Sequence, residues 1–153
     1  MRPMARLSRW CFLLGRCTPA VILIRHADVA GGGADPALSA AGSARALELR
    51  HVFHDAGLDS IYITRWQRTQ QTAAPLAADL GVTPVQIDSA VDVITAIRAR
   101  PPSSAALVVG HTNTVPDIIA GLGGPTGVTI GATEFDRLFV LLRGRLIQLH
   151  YGP

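Results

Sequence analysis

The stretch Val21-Ile22-Leu23-Ile24-Arg25-His26-Ala27-Asp28 decides the fold. Its four consecutive apolar residues, mostly β-branched, predict a strand buried on both faces, as inside a parallel sheet. The run breaks at Arg25-His26 and gives way to Gly31-Gly32-Gly33. A buried strand ending in a guanidinium and an imidazole carries both to the carboxyl edge of the sheet, where open α/β folds bind their ligands. Further along the chain the arrangement recurs. Ala106-Leu107-Val108-Val109-Gly110-His111 is a second apolar run closing on a histidine, and Ser60-Ile61-Tyr62-Ile63-Thr64 is a third, followed by Arg65 and Arg68. The three ends supply histidines and arginines without a carboxylate cluster. Guanidinium forks bind tetrahedral oxyanions bidentately, and imidazole can attack phosphorus.

The segments between these strands read as helices. Asp35 to Ser39 makes a turn with Ser39 as N-cap. A helix from about Ala40 to Asp55 follows, with Ala46, Leu49, Val52, Phe53 and Ala56 as its apolar stripe and Gly57 at C′. His51 and His54 belong to that helix as polar-face residues. A second helix begins near Arg68, aiming its N-terminal amides at an anion. Pro75 predicts a kink or a fresh start within it, and Gly81 ends it. Val82 to Ile87 is a weaker strand, and Ala90 to Ala99 a short helix. Pro116 suits the first turn of a helix after His111. Arg137 to Leu142 and Leu146 to Tyr151 flank Gly144 as a hairpin. The pattern predicts a three-layer α/β/α sandwich with a mainly parallel central sheet and a C-terminal β-hairpin at one edge.

Composition narrows the function. The 153 residues, 48% hydrophobic and 16% charged, suit one globular domain, and no run approaches a membrane span. The net charge of +3 is misleading. Arg2, Arg6, Arg9 and Arg16 crowd a start that holds no acid, and the other ten arginines face eleven acidic residues. A basic nucleic-acid-binding domain is therefore not indicated. Both cysteines, Cys11 and Cys17, lie in the same start, so the domain offers no thiolate nucleophile, disulfide or thiolate metal site. Residues 1–19 read as a basic leader or tail and 20–153 as the domain. The apolar Trp10 to Leu14 is short for a signal peptide and Arg16 interrupts it. A cytoplasmic location is the expectation, with export as the alternative. The glycine-rich loop lacks the Gly-Lys-Ser/Thr ending of a nucleotide-binding loop.

The motifs Arg25-His26-Ala27, Leu38-Ser39-(x2)-Gly42, Arg68-Thr69-Gln70-Gln71-Thr72-Ala73 and Gly110-His111-(x4)-Pro116 occur in that order. This chain resembles the histidine phosphatase superfamily, the phosphoglycerate-mutase-like group, over about Val21 to Gly152. Within that group it is similar to the short, cap-less branch that contains bacterial phosphohistidine phosphatases. The resemblance implies a metal-independent phosphatase without cofactor, acting on a phosphorylated small molecule or phosphoprotein. His26 would be the nucleophile and Arg25, Arg68 and His111 the cradle for the phosphoryl oxygens, the register favouring Arg68 over Arg65.

His26 must attack as neutral imidazole while His111 serves better protonated, so the two should titrate apart. Mutase-like relatives carry a glutamate between the arginine motif and the second histidine; here only Asp88 and Asp92 stand there. Asp88 reads as a turn residue. Asp28, Asp92 and Glu134 are the candidate proton donors, and a phosphoramidate leaving group would tolerate none. With few residues left for a lid, the pocket should be shallow and open. Two other readings stand beside catalysis through phosphohistidine: a non-catalytic phosphate- or phosphoprotein-binding domain, and a hydrolase holding a metal through His26, Asp28 and His111.

Overall fold

The computed structural model describes residues 19–153; apart from Pro19, the basic leader with Cys11 and Cys17 lies outside them. Strand β1 (Ala20–Arg25) is buried on both sides, Val21 and Leu23 facing one core and Ile22 and Ile24 the other. The remaining elements are α1 (Ala40–Phe53), β2 (Ser60–Ile63), α2 (Gln67–Leu80), β3 (Val85–Gln86), α3 (Ala90–Arg98), β4 (Ala105–Gly110), α4 (Thr114–Gly121), β5 (Arg137–Leu142) and β6 (Arg145–His150). The six strands form one sheet in the order β3-β2-β4-β1-β5-β6. β1 to β4 run parallel, and β5 and β6 are antiparallel additions at one edge.

Two apolar cores, one on each face, make this a three-layer α/β/α sandwich. Leu49 and Phe53 of α1 with Ala73, Leu76 and Ala77 of α2 cover one face. Val93 and Ile97 of α3 with Val115, Ile118 and Ile119 of α4 cover the other. The hairpin turn is Arg143-Gly144, both at positive φ (51° and 78°). That backbone twist matches the flanking strands, and glycine at the second position tolerates it. None of the described helices is long and apolar enough to cross a membrane.

Several boundaries depart from the sequence expectation. α1 ends at Phe53, and Gly57 (φ +66°) sits in the turn beyond it. Val52 and Ala56 are exposed, while Gly42 and Arg45 are buried in their stead. α2 runs through Pro75 as one helix. Proline there removes only the bond to the Gln71 carbonyl, and Gln71 lies at the exposed surface. β3 shrinks to two residues because its partner, β2, pairs with it only through Tyr62 and Ile63.

The sheet order matters most for function. β4 inserts between β1 and β2, with Arg25 in register with Gly110. The residues that follow those two, His26 and His111, therefore leave neighbouring strands side by side at the carboxyl edge.

Candidate active site

The His26 backbone N–H donates to the Gly110 carbonyl at 2.9 Å, extending the β1–β4 ladder by one residue. Its ring is buried, and its centroid lies 5.4 Å from that of His111 at an interplanar angle of 61°. Nδ1 of His26 sits 2.9 Å from the Ala27 carbonyl oxygen. A carbonyl can only accept, so Nδ1 carries the hydrogen and Nε2 keeps its lone pair.

Four threonines hold this arrangement. The Ala27 N–H donates to Thr72 Oγ1 at 2.9 Å, and that hydroxyl donates to the Arg68 carbonyl at 2.7 Å. The turn carrying Arg68 is thereby tied to the residue beside His26. His111 Nε2 lies 3.1 Å from Thr64 Oγ1, and Thr64 is braced by Thr69 through its backbone N–H and its hydroxyl. The His111 N–H donates to Thr114 Oγ1 at 2.9 Å. Thr72 and Thr69 stand inside the quoted arginine motif, but hydrogen bonds between distant threonines leave no periodic trace in a sequence.

The second motif has an equally local cause. Ser39 caps α1 by accepting from the Gly42 N–H at 3.1 Å, and its own N–H donates to the Asp28 carbonyl at 2.9 Å. A Cβ on Gly42 would lie 2.0 Å from that same oxygen, so only glycine lets α1 approach the His26 loop. Gln71 Oε1 accepts from the Leu38 N–H at 2.8 Å, closing the glycine-rich loop over α2.

His26, Arg68 and His111 line one cavity of about 470 Å³ together with Thr64, Arg65, Trp66, Asp88, Thr112, Asn113 and Thr114. Arg25 is placed differently from the expected cradle. Its Nη1 faces the carbonyls of Gly131, Ala132 and Glu134 at 3.1, 2.8 and 3.3 Å, and its Cζ lies 3.9 Å from the Phe135 ring centroid. The segment before β5 thus flanks the site, with Phe135 5.9 Å from His26 between ring centroids. In this arrangement Arg25 supplies charge beside the cavity and does not line it.

The N-terminus of α2 is also not the anion site expected of it. Its first amide, Gln67 N–H, donates to both carboxylate oxygens of Asp35 at 3.1 and 3.3 Å. The same carboxylate lies 3.6 Å from Arg68 Nη1. Asp35 is an internal anion delivered by the glycine-rich loop, and it satisfies the helix end.

Of the expected proton donors, none lines the cavity. Asp28 Oδ2 accepts from Arg45 Nε at 2.7 Å. Asp92 is exposed in the first turn of α3. Glu134 Oε2 accepts from the Gly131 N–H at 2.7 Å. Asp88 is the carboxylate in the cavity wall, its Oδ1 accepting from the Arg65 N–H at 2.7 Å. Reading Asp88 as a plain turn residue missed this, because the short β3 places it beside His111 only in three dimensions. The hypothetical metal set of His26, Asp28 and His111 is not assembled either, since Asp28 faces Arg45. Among the described residues no three His, Cys, Asp or Glu side chains converge as a metal site would need.

Burial pushes both imidazoles down to about 4. For His26 the Ala27 bond opposes the shift, while Arg25, His111 and Arg68 add to it. For His111, Arg68 and Arg25 reinforce burial and Asp88 opposes it. Both rings are therefore neutral near pH 7, shifted in the same direction. The reason is symmetry of surroundings: each ring is desolvated beside the same two guanidiniums.

Residues 21–92 match the family model described as the histidine phosphatase superfamily (branch 1). The protein histidine phosphatase SixA complexed with tungstate has the same fold, with a TM-score of 0.68 at 14% identity. That match covers 87% of this chain and 96% of SixA. An Agrobacterium tumefaciens protein assigned as a phosphohistidine phosphatase SixA aligns with a TM-score of 0.63 at 22% identity, over 89% of this chain and 98% of that one. A mycobacterial glucosyl-3-phosphoglycerate phosphatase gives 0.65 at 13%, over 88% and 98%. At such identities the solved structures speak for the fold. No curated protein sequence matches the chain.

Proposed function

We propose that this chain, whose residues 21–92 match the histidine phosphatase superfamily model, is a phosphatase that hydrolyses a phosphomonoester or phosphohistidine through a covalent intermediate on His26. One observation carries the reading: the Nε2 lone pair of His26, freed by the Nδ1–Ala27 hydrogen bond, shares a polar cavity with Arg68 and His111. Phosphoryl transfer asks the protein chiefly for position and for positive charge around three equatorial oxygens. Arg68 supplies that charge on the cavity wall and Arg25 stands beside it. A phosphoryl dianion arriving among these groups favours the imidazolium of His111, so that ring takes up a proton when substrate binds. His26 attacks as the neutral base that burial keeps it.

In the first step the His26 Nε2–P bond forms as the bond from phosphorus to the leaving oxygen or nitrogen breaks. The departing oxygen or nitrogen takes its proton from water, and we assign to Asp88, which lines the same cavity, the orienting of that water. In the second step water attacks phosphorus, the N–P bond breaks, and phosphate and free His26 result. The experiment is turnover of p-nitrophenyl phosphate and of a phosphohistidine-bearing protein by wild type and by His26→Ala, with and without vanadate. Hydrolysis of at least one substrate, lost in His26→Ala and inhibited by vanadate, is expected. Equal turnover by His26→Ala would overturn the reading.

A further inference from the structure

Arg65 plays no part in holding the phosphoryl group as described above, yet it lines the same cavity. Its backbone is fixed on both sides: the N–H donates to Asp88 Oδ1 at 2.7 Å, and the carbonyl accepts from Gln70 Nε2 at 2.9 Å. The guanidinium lies against the Trp66 indole, with Cζ 4.8 Å from the ring centroid. Arg68 approaches the same ring at 4.9 Å. The two cations differ in their partners. Arg68 has Asp35 at 3.6 Å, whereas Arg65 has no carboxylate within ion-pair distance among the described residues. Stacking on an aromatic face orders an arginine fork without consuming its hydrogen-bond donors. Arg65 is thus a positioned and exposed cation with its donors unspent.

The cavity itself is larger than its phosphoryl site. About 470 Å³ falls in the range of pockets that hold whole small molecules, and a single oxyanion would leave most of it to solvent. Besides the imidazoles, the lining is mostly polar and includes Thr112 and Asn113 as well as Arg65 and Trp66. Asp88 is the only acidic group in this wall, and one of its oxygens is already occupied by the Arg65 amide.

We infer that Arg65, backed by Trp66, is a specificity residue that binds a second anionic group, a carboxylate or a further phosphate, on a small phosphomonoester substrate. The inference rests on the phosphatase reading and deepens it, since the phosphoryl group to be transferred must occupy the His26–Arg68–His111 end. A charge-assisted bond at an exposed wall is worth roughly tenfold in kcat/KM.

The test compares O-phosphoserine with O-phosphoethanolamine, which differ by one carboxylate. Wild type is expected to favour O-phosphoserine about tenfold in kcat/KM, Arg65→Met to bring the ratio to about one, and Arg65→Glu to invert it. A wild-type ratio near one, or a preference that survives in Arg65→Met, overturns the inference. Turnover of p-nitrophenyl phosphate in the same preparations separates the two levels of the argument. If wild type hydrolyses the aryl ester but shows no carboxylate preference, the second-anion site alone falls. If it hydrolyses none of the three, the inference falls, and the phosphatase reading falls with it when the phosphohistidine-bearing protein is left intact as well. Thermal denaturation of each variant confirms that a changed ratio does not arise from unfolding.

Discussion

At the scale of single residues, one hydrogen bond decides which nitrogen of His26 keeps its lone pair. With Nδ1–H committed to the Ala27 carbonyl, the proposed attack by Nε2 needs a neutral ring, and burial beside Arg25 and Arg68 keeps it so. We predict that in the free protein both His26 and His111 titrate near pH 4, measured by NMR of their ring protons, and that phosphate or vanadate raises His111 alone. A midpoint near 6.5 for either ring would show that it is solvated. The sign for stability follows from the same values. Unfolded histidines protonate near 6.5 and these two near 4 when folded. The unfolded state therefore binds more protons between those values, and stability falls as pH drops from about 6.5 to 4. Thr72 gives a second prediction. Thr72→Val leaves the buried Ala27 N–H without its acceptor, at a cost of about 1–3 kcal/mol. Turnover should fall by more than substrate affinity does, because the His26 loop is displaced. Unchanged kcat would mean that the loop needs no such anchor. His26, His111 and Arg68 were legible in the sequence because each sits at a strand end or helix start. Thr64, Trp66 and Asp88 were not, because they enter the site by approaching across the sheet edge.

At the scale of elements, the site is a set of close approaches between helix starts and strand ends. Gly42 is the tightest of them. Gly42→Ala places a methyl 2.0 Å from the Asp28 carbonyl oxygen, backbone against backbone, and such overpacking costs about 3 kcal/mol or more. Chemical denaturation should show that loss together with reduced activity, and a wild-type midpoint would mean that α1 can slide away without harm. Periodicity placed every helix and strand of the domain. It erred where tertiary packing overrides an apolar stripe, as in α1, where Arg45 is buried and Val52 exposed. It also erred at the start of α2. The helix dipole there predicts an anion, and the anion supplied is Asp35 from thirty-odd residues upstream, a pairing that no local pattern encodes.

At the scale of the whole molecule, the segment around Tyr151 is fastened to the loop that follows His26. The buried Arg45 donates through Nε to Asp28 at 2.7 Å and through Nη1 to the Tyr151 carbonyl at 2.8 Å. Arg45→Met removes both bonds and leaves the partly buried Asp28 charge unpaired, a loss of about 3–5 kcal/mol. Thermal melting should report it, and an unchanged melting temperature would show that Asp28 finds another partner or solvent. The layered α/β/α architecture was readable from alternating strand and helix patterns. The insertion of β4 between β1 and β2 was not, since strand order depends on non-local pairing. That insertion is what brings His26 and His111 to 5.4 Å between centroids. The measurement that bears most directly on the account is rapid acid-free quenching with a 32P-labelled substrate, followed by peptide mapping. The predicted result is an acid-labile, base-stable label on the peptide that carries His26, absent from His26→Ala. Label on any other residue, or sustained turnover with no labelled protein, would contradict it.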